Sequence, residues 1–349
     1  VVALELKREV VLGELKNPRM VGLSVAAALG GMALPAGIFL LVAGGGKGAS
    51  GWGMVMATDT AFVIGGLAVL GSRIPQSLRL FLLSLAIFDD IGAILVVAIG
   101  YGGTLEWVAL VMTGLGLVLV FGMARFGIRS ILMYFVIGIF VWFSLDASGI
   151  HPTLAGVMLG LMTPARSWVS DDRLHAILNR VVAYPPGDHW SGDTVDRRDL
   201  RRASIAAREA LSPVERLEMF LHPWVAYLIV PVFALANAGV QISSGSFDLV
   251  LVTAILLGFV LGKPIGVLLF SYAAVRLHLA ARPSDLSWKV LTAGAVLTGI
   301  GFTMALFIAE LALGPELLNS AKLGILGASI VAAACGLSAL ALLTSKGSE

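Results

Sequence analysis

Ten long apolar stretches dominate the chain, at roughly 21–43, 51–72, 80–101, 107–124, 130–145, 147–164, 220–242, 249–275, 290–309 and 323–344. A helix that crosses a bilayer needs about 20 mostly apolar residues, and each stretch is near that length. None alternates apolar with polar positions, so they read as helices rather than barrel strands. The pattern predicts an all-α polytopic membrane protein. It divides into 1–20, the end of a preceding helix; 21–164, six spans; 165–219, a polar loop; and 220–349, four further spans.

The polar connections sort by charge. Twenty-one of the 24 Lys and Arg lie on alternate connections, from Lys7 and Arg8 through nine Arg between Arg166 and Arg216 to Lys346. The opposite connections carry Lys47 and Lys322, and Lys263 lies within a span. An excess of Lys and Arg marks the cytoplasmic side, so both ends of this chain are expected there. The 165–219 stretch is then a cytoplasmic loop, with Tyr184-Pro185-Pro186-Gly187 inside it and a short helix expected over 199–211. The charged residues Glu5, Lys7, Arg8 and Glu9 read as the tail of a helix whose beginning is missing, and no signal-peptide pattern precedes them.

Composition narrows the function. The chain is 58% hydrophobic and 13% charged, against about 25% charged in a soluble domain, so its surface faces lipid. Its 41 glycines suit close helix packing there. A net charge of +2 excludes a strongly basic nucleic-acid binder. The single cysteine, Cys335, supports neither an intrachain disulfide nor a thiolate metal site. No nucleotide loop, metal cluster or nucleophile motif is present, which points away from an enzyme and from any cofactor.

Four charged side chains fall well inside spans: Asp59, Asp89, Asp90 and Lys263. Each costs at least about 2.5–3.5 kcal/mol at mid-bilayer, so such groups persist when they face a cavity and have partners or ligands. Three acids and one base leave a deficit that a proton or cation can fill. Asp89 and Asp90 project about 100° apart on a helix and can border one cavity. Two neighbouring carboxylates in low dielectric resist double ionisation, and they titrate as a pair. Carboxylate oxygens also suit hard cations, so proton and cation can compete for one site. Lys263, in Gly262-Lys263-Pro264-Ile265-Gly266, is expected to pair with one of these acids.

Two of the spans carry helix-interrupting sequences. Ala57-Thr58-Asp59-Thr60 has side chains that compete for backbone hydrogen bonds. Thr298-Gly299-Ile300-Gly301-Phe302-Thr303 interrupts another apolar run. Each is the second span of a three-span group, 21–101 and 249–344, and the charge rule makes the groups enter the membrane from opposite sides. Paired discontinuous helices in inverted repeats point to an ion site near the midplane, and Asp59 is positioned to balance positive half-helix ends.

These stretches resemble the bacterial NhaA-type sodium/proton antiporters. The likeness extends to Leu4-Glu5-Leu6-Lys7-Arg8-Glu9, Gly149-Ile150-His151-Pro152-Thr153-Leu154, Leu221-His222-Pro223-Trp224 and Ala321-Lys322-Leu323-Gly324, and so to nearly all of the chain outside 165–215. The resemblance implies an inverted-repeat bundle with two crossing, discontinuous helices in the bacterial inner membrane. It implies electrogenic exchange of intracellular Na+ or Li+ for external protons, in control of cytoplasmic pH and sodium. Asp89, Asp90 and Thr58 would bind ion and proton, transiently holding Na+ or Li+. Asp59 and Lys263 would balance charge, Lys263 as the ion-pair partner of Asp89, with Thr60, Thr298, Gly299, Gly301 and Thr303 at the breaks. Glu5, Lys7, Arg8, Glu9, His151, Glu218 and His222 would respond to pH. The family has twelve spans, so the first and most of the second are expected to be absent, along with a hairpin used for homodimer contacts. Met219 stands where some relatives have a second histidine, and the 165–215 loop is longer than in the best-known relatives. Two other readings remain at this level. A symporter for an organic anion would need a cationic recognition group, for which Lys263 is the one candidate. A passive channel or a sensor would more often show a repeated filter element.

Overall fold

The computed structural model describes residues 2–11, 18–101, 105–126, 128, 131–165, 171–182, 195–237, 239 and 247–345. Among them are sixteen α-helices and no strand. Helix α1 (Val2–Val11) is followed by α2 (Pro18–Ala43), a 3-10 segment (Ala49–Met56), α3 (Thr60–Leu70) and α4 (Gln76–Gly100). Next come α5 (Trp107–Arg125), α6 (Ile131–Ala147), α7 (Thr153–Met162), α8 (Asp171–Val182) and α9 (Val195–Ala210). The chain continues through α10 (Pro213–Trp224), α11 (Val230–Asn237), α12 (Leu249–Leu257), α13 (Lys263–Arg276), α14 (Trp288–Leu297), α15 (Phe302–Ala312) and α16 (Pro315–Ser345).

Seven segments among the described residues are long and apolar enough to cross a bilayer, and the bent pair α14 and α15 makes an eighth. The expected spans at 130–145 and 147–164 correspond to two shorter apolar helices, Leu132–Ala147 and Thr153–Met162. Between them the chain turns at Gly149, whose φ of 82° is a left-handed value that suits glycine.

Three boundaries depart from the hydropathy pattern for identifiable reasons. The span expected from 220 begins at Pro213, because Ser212 and Glu215 form a reciprocal capping box with proline in the first turn. Single π-helical turns interrupt two spans, at Val225–Ile229 and Gly258–Gly262. Each includes the residue four before a proline, Tyr227 before Pro231 and Val260 before Pro264. Proline lacks the N–H that residue would bond, and its ring crowds that carbonyl. The third departure is in the stretch expected to be a loop with one short helix over 199–211. Its described residues form two helices, α8 and α9, packed on each other.

The most extensive helix contact joins α2 and α13. They cross at glycine: a Cβ on Gly30 would stand 2.1 Å from the carbonyl oxygen of Gly266, and one on Gly266 would stand 2.1 Å from that of Gly30. Helices associate closely in lipid where small residues let the backbones meet.

Candidate functional site: a polar seam between two apolar layers

The two broken spans meet at their breaks. After Met56 the backbone is extended at Ala57 and Asp59, and helix resumes at Thr60. The other break lies between α14 and α15, which bend 47° from one another. The Asp59 amide donates to the Ile300 carbonyl at 2.6 Å, joining the breaks backbone to backbone.

Broken helices expose unpaired amides at one end and unpaired carbonyls at the other. Asp59 answers two amide ends together. Its Oδ1 accepts from the Phe62 amide in the first turn of α3 at 3.4 Å. Its Oδ2 accepts from the Thr303 amide at 2.9 Å and the Thr303 hydroxyl at 2.5 Å, at the start of α15. One negative charge thus faces two positive helix ends. The carbonyl ends are met by donors: Lys263 Nζ donates to the Met56 carbonyl, and Thr58 Oγ1 lies 3.1 Å from the Thr298 carbonyl.

Lys263 Nζ is also 3.1 Å from Asp89 Oδ2, and both side chains are completely buried. Thr58 Oγ1 stands 2.7 Å from the same oxygen. Its single proton can serve Asp89 or Thr298 at one time. Asp90 is held more loosely, with Thr60 Oγ1 3.4 Å from its Oδ2. Oδ1 of Asp89 and Oδ1 of Asp90 are buried and have no hydrogen-bond partner among the described residues. Both residues sit past the middle of the 25-residue α4. Among the described residues, no three His, Cys, Asp or Glu side chains converge as a metal cage.

Glycine brings the second break close to α13. A Cβ on Gly299 would lie 2.6 Å from the Phe259 carbonyl oxygen, and one on Gly301 would lie 2.3 Å from the Phe259 ring. Phe259 belongs to the π-helical turn that leads into Lys263, so these contacts tie the break to the lysine.

Apolar packing closes the seam on both sides. One cluster includes Leu23, Val63, Leu78, Leu82, Leu85, Val267 and Leu297. The other includes Phe39, Met54, Val55, Val97, Phe259, Leu306 and Ile325. Along α4 the first ends at Leu85 and the second starts at Ala93, with Asp89 and Asp90 between. Lys263 likewise lies between Phe259 of one cluster and Val267 of the other.

The residues expected to respond to pH fall in two places, one on α1 and α10 and the other at His151 before α7. Glu5, Lys7 and Arg8 are half-buried on α1, which packs against α4, α7 and α10. Arg8 reaches Glu218 on α10 at 2.6 Å. His222 is exposed one turn further along. The side chain of Glu9 lies outside the described residues. His151 sits in the turn before α7, with Nδ1 3.0 Å from the Thr153 hydroxyl and its ring edge-on to Phe307.

Sequence reasoning missed the backbone partners, the Met56 and Thr298 carbonyls, since any residue supplies a carbonyl. It also left open which carboxylate would accept from Thr303. The Ser212-x-x-Glu215 signature of the capping box is legible in the sequence but is masked by the polar stretch around it.

A family model described as Na+/H+ antiporter 1 matches residues 1–340. The chain belongs to this family. It is 67% identical over 345 residues to the Na(+)/H(+) antiporter NhaA of Rhizobium meliloti (strain 1021), covering 99% of this chain and 79% of that protein. It is 59% identical to Na(+)/H(+) antiporter NhaA 2 of Acidiphilium cryptum (strain JF-5), over 98% of this chain and 76% of that one. Against Na(+)/H(+) antiporter NhaA 2 of Vibrio vulnificus (strain CMCP6) it is 54% identical, over 96% and 75%. Family membership and the apolar helices make it a multi-pass membrane protein and a secondary transporter rather than an enzyme.

Proposed function

We propose that this chain exchanges Na+, or Li+, leaving the cell for protons entering it across the bacterial inner membrane, with Asp89 and Asp90 as the shared binding groups. The observation that carries this reading is the pair of buried carboxylates with one unpartnered oxygen each, set between two apolar layers. Each carboxylate can hold a proton or take part in binding a cation, and the two uses exclude one another. Asp90, with a single long hydrogen bond, is the freer ligand. Asp89 gives up Lys263 and Thr58 when it is neutralised, which couples occupancy to the hydrogen bonds that join the broken helices. Two carboxylates carry two protons inward for one cation outward, so the exchange moves net charge. One group of helices rocks against the other to expose the seam to each side in turn. The Lys and Arg distribution supports a cytoplasmic location for both ends of this chain and for α8 and α9. Arg8, Glu218 and their neighbours on α1 and α10 are the candidates for pH response.

The test is transport in proteoliposomes with an imposed acid-inside gradient and a pH-sensitive dye. Adding Na+ or Li+ outside collapses the gradient while K+ does not, and Asp90→Asn abolishes the response. Folded protein in which no added cation drives proton movement at any pH from mildly acidic to alkaline would overturn the exchange reading.

A further inference from the structure

The helical hairpin of α8 and α9 is used by nothing in the transport site, and its outer face has its own chemistry. Helix α9 packs on α8 through one side: Ala203 and Ala206 are buried, and Asp199 and Ala210 are half-buried. These four positions recur at helical spacing and define a single stripe. The opposite side presents Arg197, Arg198 and Arg201, all exposed, while Arg202 is exposed on the flank of the stripe, 3.2 Å from Asp199. Between and beside them stand Leu200 and Ile205, 43% and 51% exposed. Arginines interleaved with exposed apolar side chains on one helix face are the composition of a segment that lies on a charged lipid surface.

Tethering decides what that face meets. Only Leu211 and Ser212 separate the end of α9 from Pro213, the first residue of a membrane-crossing segment. The capping box at Ser212 makes that junction a defined turn. A helix of 16 residues is about 24 Å long, so the arginines cannot stray far from the bilayer. We infer that the outer face of α9 docks on anionic phospholipid headgroups, holding the hairpin against the membrane. Guanidinium groups bind phosphate oxygens in bidentate fashion, while Leu200 and Ile205 enter the headgroup boundary. The leaflet involved is the cytoplasmic one if the proposed orientation holds; the docking itself does not depend on that reading or on transport.

The experiment uses the full chain reconstituted in vesicles. A fluorophore is attached at Ser204→Cys in a Cys335→Ala background, since Cys335 is exposed and would also react. Its quenching by headgroup-spin-labelled lipid is compared in phosphatidylcholine vesicles with and without phosphatidylglycerol. Both leaflets have the same composition, so the result is independent of orientation. Quenching is expected to rise at least about twofold with the anionic lipid, and to fall as salt shortens the screening length to about 3 Å at 1 M. Arg197→Gln, Arg198→Gln and Arg201→Gln together abolish the rise, whereas Asn179→Gln on α8 leaves it intact. Equal quenching in the two vesicle types at low salt would overturn the inference. So would inorganic phosphate lowering the quenching more than chloride does at equal ionic strength, which would assign the arginines to a free anion. Exchange measured in the same vesicles separates the two readings, because loss of docking with exchange intact tests this inference alone.

Discussion

At the residue scale, the Lys263–Asp89 pair is the most exposed to single changes because both groups are fully buried. Removing one partner of such a pair strands the other charge and costs about 3–5 kcal/mol. Lys263→Gln or Asp89→Asn is therefore expected to lower the thermal unfolding temperature in detergent more than the double variant does. Equal or additive losses in the double variant would show that the pair is not coupled. Thr303 is a second such residue. Thr303→Val deletes a hydroxyl donor to a carboxylate, worth about 1.5–3 kcal/mol, and Thr303→Ser retains it. Thr60→Val removes the hydroxyl that lies 3.4 Å from Asp90; weaker apparent Na+ affinity, with Thr60→Ser close to the parent, is the expected transport result. The charged residues of the seam were legible because an intramembrane charge is anomalous in any apolar run. The residues alone left open which acid Lys263 meets, and the resemblance pointed to Asp89, where the lysine is found; that Asp59 caps α3 and α15 together depends on how distant segments cross.

At the element scale, the breaks at 57–59 and 298–301 could be read from Thr-Asp-Thr and Thr-Gly-Ile-Gly, since those residues favour caps and turns over helix interior. The π-helical turns could not, because a proline in a span signals a disturbance without saying how it is absorbed. A short helix was expected over 199–211, where α9 lies, but α8 and its packing on α9 were hidden for a related reason. Its arginines and acids read as solvated loop, while helix α9 is stabilised by packing a narrow alanine stripe. The contact of α2 with α13 gives a direct test. Gly30→Ala puts a methyl carbon into the Gly266 carbonyl, and such overpacking costs about 1–3 kcal/mol. The outcome expected is a lower yield of folded protein and a lower unfolding temperature. Gly37→Ala on the same helix, where no atom lies within 4 Å, should leave both near the parent values.

At the scale of the whole molecule, the arrangement is layered: apolar, polar, apolar. The layers come from residues scattered over α2, the 3-10 segment, α3, α4, α12, α13, α14, α15 and α16. Hydropathy showed that these segments were apolar but not that their charges lie at a common level. Phe39, fully buried in one layer, tests its role as a barrier. Phe39→Ala leaves a cavity and costs about 3–5 kcal/mol. In a vesicle assay it is expected to raise passive proton permeability, measured as faster gradient decay without added cation. An unchanged decay rate in well-folded variant protein would mean that this layer does not limit proton passage.

The layering has an electrical consequence. A membrane that stores energy as a voltage discharges through any protein that offers a continuous wet path, however narrow. Here the groups able to hold a charge lie, along α4 and α13, between two clusters of buried hydrocarbon. The polar seam is thus an island within an insulator. In the proposed cycle, charge is traded at the island only when one flank opens. Provided the two flanks never open together, the stored voltage is drawn down by a counted charge per cycle instead of a current.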